Sequence, residues 1–189
     1  LEGTWKESFD GSRGDNQDGK MKSIGHMYTI PVEFRSQQVM RPVLYKLSEM
    51  VAARLRVNGM MGRGVHVHAY DPEGVRVGKG AKLSYFLQDG RDIYLESMNL
   101  LKQSGVLPNL EKRAHLIGVT VFDLVPAENQ LSLFENARGG SRINNALDKI
   151  NNKYEDFTVA RVPAFLARDI IRDSVGFGRM KEFKTTFMG

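Results

Sequence analysis

The turn Asp71-Pro72-Glu73-Gly74 constrains this chain most, because alternating runs flank it on both sides and a tight turn brings such runs together as a hairpin. Before it, Val65, Val67 and Ala69 alternate with His66, His68 and Tyr70. After it, Gly80 to Leu87 sets Leu83, Tyr85 and Leu87 on one face and Lys82, Ser84 and Phe86 on the other. A hairpin with one apolar face needs a cover, and the neighbouring sequence supplies it. Upstream, Ile24, Tyr28 and Ile30 alternate with Ser23, Gly25 and Thr29 in a strand that Pro31 ends. Ser36 then offers an N-cap, and Val43, Leu47, Val51 and Leu55, with Leu44 and Met50 beside them, predict an amphipathic helix closed by Asn58-Gly59. Pro42 is tolerable in its first turn. Downstream, Asp92 is expected to cap a second helix through Lys102, with Ile93, Tyr94, Met98 and Leu101 apolar and Gly105 at the stop. His115 to Phe122 gives a fourth strand with Ile117, Val119 and Val121 inward.

The order is strand, helix, strand, strand, helix, strand. We therefore expect an α+β fold, a split β-α-β-β-α-β domain whose four-stranded sheet carries two helices on one face, followed by a partly helical C-terminal tail. In that tail Ile143, Ala146, Leu147, Ile150 and Tyr154 fall at helical spacing through Arg142 to Tyr154, Thr158 to Val162 reads as extended, and a helix is expected around Phe165 to Arg172. With 189 residues, 41% hydrophobic and 26% charged, the chain can bury one sizeable core and still carry extensions. It has no cysteine, which excludes disulfides and thiolate metal sites and fits a reducing compartment, and no run approaches the roughly 20 apolar residues that span a bilayer. We expect a soluble, cytoplasmic protein. The net charge of +5 favours an anionic partner. Opening at Leu1 rather than methionine suggests a piece of a longer protein.

The face away from the helices is the candidate surface. By alternation it should carry His66, His68, Lys82, Ser84 and Thr120, with Lys79 at one end and Arg113 at the other. Such small polar and basic groups suit hydrogen bonds to phosphates, and the pattern offers no aromatic pair to stack unpaired bases. All four histidines fall in the predicted strands, His26 and His115 included. His66 and His68 share a face at a spacing that could hold zinc, but no carboxylate stands beside them, so we expect no metal there. Arg41, Arg54 and Arg56 read as the solvated side of the first helix.

A second candidate lies beyond the sheet, at Gln130-Leu131-Ser132-Leu133-Phe134. Two leucines and a phenylalanine give apolar anchors, and the glutamine amide can bond at a pocket rim. Polar or helix-breaking flanks, Pro126 to Asn129 and Glu135 to Gly140, leave the run no long element of its own. Five residues alone fit a short buried strand or a turn of helix tucked onto the core equally well. Its position, just after a completed split β-α-β unit, tips the reading toward a peptide carried outside the fold for a partner to grip.

The chain resembles the C-terminal part of bacterial Y-family translesion DNA polymerases, namely the little-finger domain and tail. Lys22-Ser23-Ile24-Gly25-His26 with Thr29 resembles the segment that opens the little finger, and Arg113 followed by Ile117-Gly118-Val119 resembles its last strand. Gln130 to Phe134 matches the pentapeptide that docks on the bacterial sliding clamp. Asp148-Lys149-Ile150-Asn151 with Tyr154, then Gly176-Phe177-Gly178, resemble the tail of longer members. One departure is Met27, where the family often has Glu.

The resemblance implies a division into residues 1–21, a linker from a thumb domain; 22–125, the DNA-binding little finger; 126–140, the clamp-binding linker; and 141–189, the tail. It implies backbone contacts to double-stranded template-primer DNA from Ser23, His26, Thr29, Lys79, Lys82, Arg113, His115 and Thr120, and clamp docking through Gln130, Leu131, Ser132, Leu133 and Phe134. The parent enzyme would join deoxynucleotides by two-metal phosphoryl transfer, with Mg²⁺ held by palm carboxylates that this chain lacks. The competing expectation is a non-catalytic adaptor that binds nucleic acid or protein through the sheet.

Overall fold

A computed structural model describes residues 21–127, 136–154, 158–167 and 170–171. The expectations for residues 1–20, 130–134 and 176–178 lie outside these. The described elements begin with β1 (Ser23–Thr29), a 3₁₀ turn (Val32–Gln37), α1 (Met40–Val57), β2 (Met60–Tyr70) and β3 (Arg76–Leu87). They continue with α2 (Gly90–Gln103), α3 (Leu107–Arg113), β4 (Leu116–Pro126), α4 (Asn136–Tyr154) and α5 (Val162–Phe165).

The sheet has four strands in the order β1-β4-β2-β3, every neighbouring pair antiparallel. β1 and β2, joined through α1, run the same way with β4 inserted between them, which is the split arrangement expected from the sequence. The inner face of the two central strands, Val65 and Val67 on β2 with Ile117, Val119 and Val121 on β4, is fully buried. Against it lie Val43, Leu44, Leu47, Val51 and Leu55 of α1 and Ile93 and Leu101 of α2, also buried. Each such side chain contributes roughly 1.5–3 kcal/mol when taken wholly out of water, so this layer contact holds the fold.

Several local expectations give way. Ser36 lies inside the 3₁₀ turn, and the N-cap of α1 is Val39, which makes no side-chain cap hydrogen bond. The cap of α2 is Asp89 rather than Asp92, its carboxylate accepting from the Arg91 N–H at 2.7 Å. The helix thus starts at Gly90, where α1 passes close by. A Cβ on Gly90 would stand 2.8 Å from the Glu49 Cα. Gly105 stops the chain as expected, at φ +74, but α3 follows at once with Pro108 in its first turn, tolerable because that N–H needs no helical partner.

The tail packs onto the helical layer. Ala164, Ala167, Ile170 and Ile171 are buried; the Lys46 ammonium donates to the Ile171 carbonyl at 2.9 Å and the Tyr28 hydroxyl to the Ile170 carbonyl at 2.7 Å. A polar cluster fastens the rest. Arg161 donates to Glu49 at 2.8 Å, to both Asp89 oxygens at 2.9 Å and to the Asn144 carbonyl at 2.9 Å. The Asn144 amide donates to Asp89 at 2.8 Å. Arg56 forks onto Asp148 at 2.6 and 2.7 Å with its side chain only 12% exposed, so it is not part of a solvated face.

This fastening decides the orientation of α4. Among its described side chains Asn144 is buried, at 4% exposure, while Ile143, Ile150 and Tyr154 stand 58%, 37% and 59% exposed. The predicted apolar stripe therefore points outward, apart from Leu147. The last short helix begins at Val162, earlier than the expected Phe165.

Candidate nucleic-acid interface

Pairing register builds the helix-free face row by row. Reading across β1, β4, β2 and β3, the rows are Ser23, Phe122, Gly64, Lys82; then Gly25, Thr120, His66, Gly80; then Met27, Gly118, His68, Gly78; then Thr29, Leu116, Tyr70, Arg76. Glycines separate the larger groups. A Cβ on Gly80 would meet the His66 ring at 3.1 Å, and one on Gly118 would meet the Met27 Cβ at 2.9 Å and run into the His68 ring. The side chains thus lie flat over neighbouring glycines, and a partner can approach the backbone closely.

Of the residues expected here, Ser23, Thr29, His66, His68, Lys82 and Thr120 are on this face. Ser84 lies on the same side by alternation, in a stretch where β3 bulges between Lys82 and Leu87. The others are elsewhere. His26 pairs across from buried Val119 and so faces the helices, where burial, helped by the nearby Arg54 charge, pushes its pKa down. Lys79 pairs with buried Val67 and points to the same side. Arg113 lies in α3 and is paired with Glu73, with the buried Asp71 carboxylate 4.0 Å away. His115 ties the sheet end together: its N–H donates to the Tyr70 carbonyl at 2.8 Å, its own carbonyl accepts from Ile30 at 2.7 Å, and its ring stands edge-on to Tyr70.

Lys82 and Arg76 supply permanent cations on this face. Burial, with a smaller push from His66, lowers the pKa of His68 and so favours its neutral form. Asp123 holds Arg63 at 2.8 Å and Lys82 at 3.3 Å; the Arg63 hydrogen bond chiefly lowers its pKa. Asp123 also takes φ +58, turning β4 so that Leu124 packs toward the core while Phe122 covers Gly64. Arg76 sits 5.8 Å over the Tyr70 ring at the β3 edge.

Sequence reasoning missed Arg63, Arg76, Tyr70, Phe122 and the glycines. The alternate glycines at 62 and 64 and at 78 and 80 were the available signal, since glycine inside a strand marks a close approach. Tyr70 and Phe122 lie at opposite ends of the face and do not form a stacking pair.

His66 and His68 are 6.0 Å apart between ring centres, and the described residues bring together no group of three or more His, Cys, Asp or Glu. They do not fit a magnesium site. Among the described residues no helix is long and apolar enough to cross a membrane. What the face can do is donate: hydroxyls from Ser23, Thr29 and Thr120 and cations from Lys82 and Arg76, spread from one end of the face to the other, can meet successive anionic oxygens.

Together, the split four-stranded antiparallel sheet, its helical layer and its glycine-lined open face define an α+β domain that leaves one sheet face open to a partner. The impB/mucB/samB family C-terminal domain matches residues 21–133. The chain belongs to that family, and the resemblance to the C-terminal domain of Y-family polymerases holds. Among curated proteins it is 32% identical over 153 residues to DNA polymerase IV of Moorella thermoacetica, covering 80% of this chain and 37% of that protein. With DNA polymerase IV of Pelotomaculum thermopropionicum it shares 25% over 158 residues, covering 83% and 39%. The chain thus spans less than half the length of these relatives. A solved Y-family DNA polymerase chimera aligns with a TM-score of 0.45 and 23% identity, over 56% of this chain and 29% of that one.

Proposed function

We propose that this chain is the duplex-gripping and clamp-docking part of a translesion DNA polymerase. The observation that carries the reading is the open sheet face, lined with glycine, hydroxyls and a lysine, in a domain whose family includes DNA polymerase IV. Small side chains let the sheet lie against a duplex backbone, where Ser23, Thr29, Thr120 and Lys82 bond phosphate oxygens without reading sequence. In this reading magnesium-assisted phosphoryl transfer would come from the rest of a parent polymerase, since the chain spans 37% of the Moorella relative.

Residues 130–134 dock on the sliding clamp, with Leu131, Leu133 and Phe134 filling an apolar pocket and Gln130 bonding at its edge. The test is titration of a labelled template-primer duplex at several salt concentrations. Each phosphate neutralised adds about −0.9 to the slope of log K against log salt, so Lys82→Ala should flatten it by about one. No duplex binding at low salt would remove the reading. For the clamp, Leu133→Ala with Phe134→Ala should abolish binding and leave the fold intact.

A further inference from the structure

The outward stripe of α4 is a feature of the described residues that this function does not use. Ile143, Ala146, Ile150 and Tyr154 follow one another by three, four and four residues, which places them along one side of the helix. All four are exposed. Helices normally bury such a stripe; here the buried side is polar instead, because Asn144 and Asp148 are held by Asp89, Arg161 and Arg56. Lys149 and Lys153 are exposed beyond the stripe, and Lys153 lies 5.0 Å over the Tyr154 ring. Asp148, the one acid among the described side chains of α4, is turned inward. The surface is therefore apolar with a basic border.

Its place in the chain says what covers it. α4 begins at Asn136, two residues past the pentapeptide. At about 1.5 Å per residue, the stripe runs from about 10 to 27 Å along the helix from that start. We propose that the stripe is a second seat for the same clamp: an apolar patch of the clamp, rimmed with acidic side chains, packs on Ile143, Ala146, Ile150 and Tyr154 while residues 130–134 fill its pocket. This rests on the clamp reading of those residues. Once the pentapeptide is held, the stripe meets the clamp at the high local concentration of a tethered site, so a modest contact adds measurably to affinity. A duplex backbone offers anionic oxygens to the lysines but no apolar partner for the stripe, which favours a protein surface.

The test titrates the whole chain with the bacterial sliding clamp by calorimetry, beside Ile150→Asp with Tyr154→Asp, Lys149→Glu with Lys153→Glu, and Leu133→Ala with Phe134→Ala. The aspartate variant should bind roughly tenfold more weakly with an unchanged unfolding midpoint, as expected when a partly exposed isoleucine and tyrosine lose their cover. The lysine variant, which leaves the apolar side chains in place, should also bind more weakly, by a margin that shrinks as salt rises. Stripe variants that bind as tightly as the parent overturn the proposal. If only the pentapeptide variant loses binding, the clamp reading stands and the second seat does not. If only the stripe variants lose it, the seat stands and the pentapeptide reading falls. An effect on duplex affinity alone overturns the proposal and assigns the helix to nucleic acid.

Discussion

Replacing Arg161 by methionine should unfasten the tail from the helical layer. The guanidinium makes four hydrogen bonds, to Glu49, to both oxygens of Asp89 and to Asn144. Its side chain is 23% exposed, and those of Glu49 and Asp89 are 11% and 19% exposed. Removing it leaves two half-sequestered carboxylates facing each other with no cation between them. A fully buried broken pair costs about 3–5 kcal/mol, and the residual exposure lowers that. Asp89 gives an independent figure: burial raises its pKa, but hydrogen bonds from Arg161 and Asn144, the Arg161 charge and the Arg91 N–H outweigh it and hold the value at about 2. Against an ordinary 3.8, that shift, which Arg161 shares with Asn144 and the Arg91 N–H, is worth about 2 kcal/mol. We therefore expect a loss of about 2–3 kcal/mol at pH 7 in urea unfolding.

The pH dependence follows from the direction of the shift. A carboxyl whose folded pKa is depressed contributes its full stability above the unfolded value and loses it as pH falls through the folded one. The gap between parent and variant should thus narrow from about pH 4 down to about pH 2. Glu49 works in the opposite sense, since burial holds its pKa up despite Arg161, and it gains stability when protonated. A variant within about 0.5 kcal/mol of the parent, the scatter of ordinary surface substitutions, would refute the reasoning, as would a gap that stays constant between neutral and acid pH.

Gly90→Ala should cost about 1–3 kcal/mol, since the added methyl meets the Glu49 backbone at 2.8 Å and one helix must shift; thermal unfolding checks this. Gly118→Ala should perturb the open face rather than the core, displacing the His68 ring, and should weaken duplex binding by more than it lowers the unfolding midpoint. Leu55→Ala, at a fully buried position of α1, should cost about 2–5 kcal/mol in urea unfolding, with no selective effect on duplex affinity.

The strands and the long helices were legible because alternation and helical spacing register a single buried face, and Val65, Val119 and Leu47 all show it. Elements fixed by distant contacts were not. Asp89 and Asp92 both offer a cap by type, and what selects Asp89 is the crossing of Glu49 over Gly90 together with Arg161, which lies far along the chain. The same holds for α4: spacing identifies a stripe on Ile143, Ile150 and Tyr154 but not the side it faces, and partners for Asn144 and Asp148 turned it outward. α3 was hidden because Gly105 and Pro108 punctuate it like a loop. On the open face, alternation placed Lys82 and Thr120 correctly. His26 and Lys79 were DNA-contact candidates through the family resemblance; by parity each belongs with the inward set, with Ile24 in β1 and with Val77 and Ala81 in β3, and each faces the helices.

Mapping the amide resonances of the isotopically labelled chain during titration with a template-primer duplex tests the account most directly. Shifts should cluster on the open face, at Gly25, Gly64, Gly78, Gly80, Gly118 and Thr120, and be small on α1 and α4. Shifts confined to the helical layer, with the open-face glycines unmoved at saturation, would contradict it.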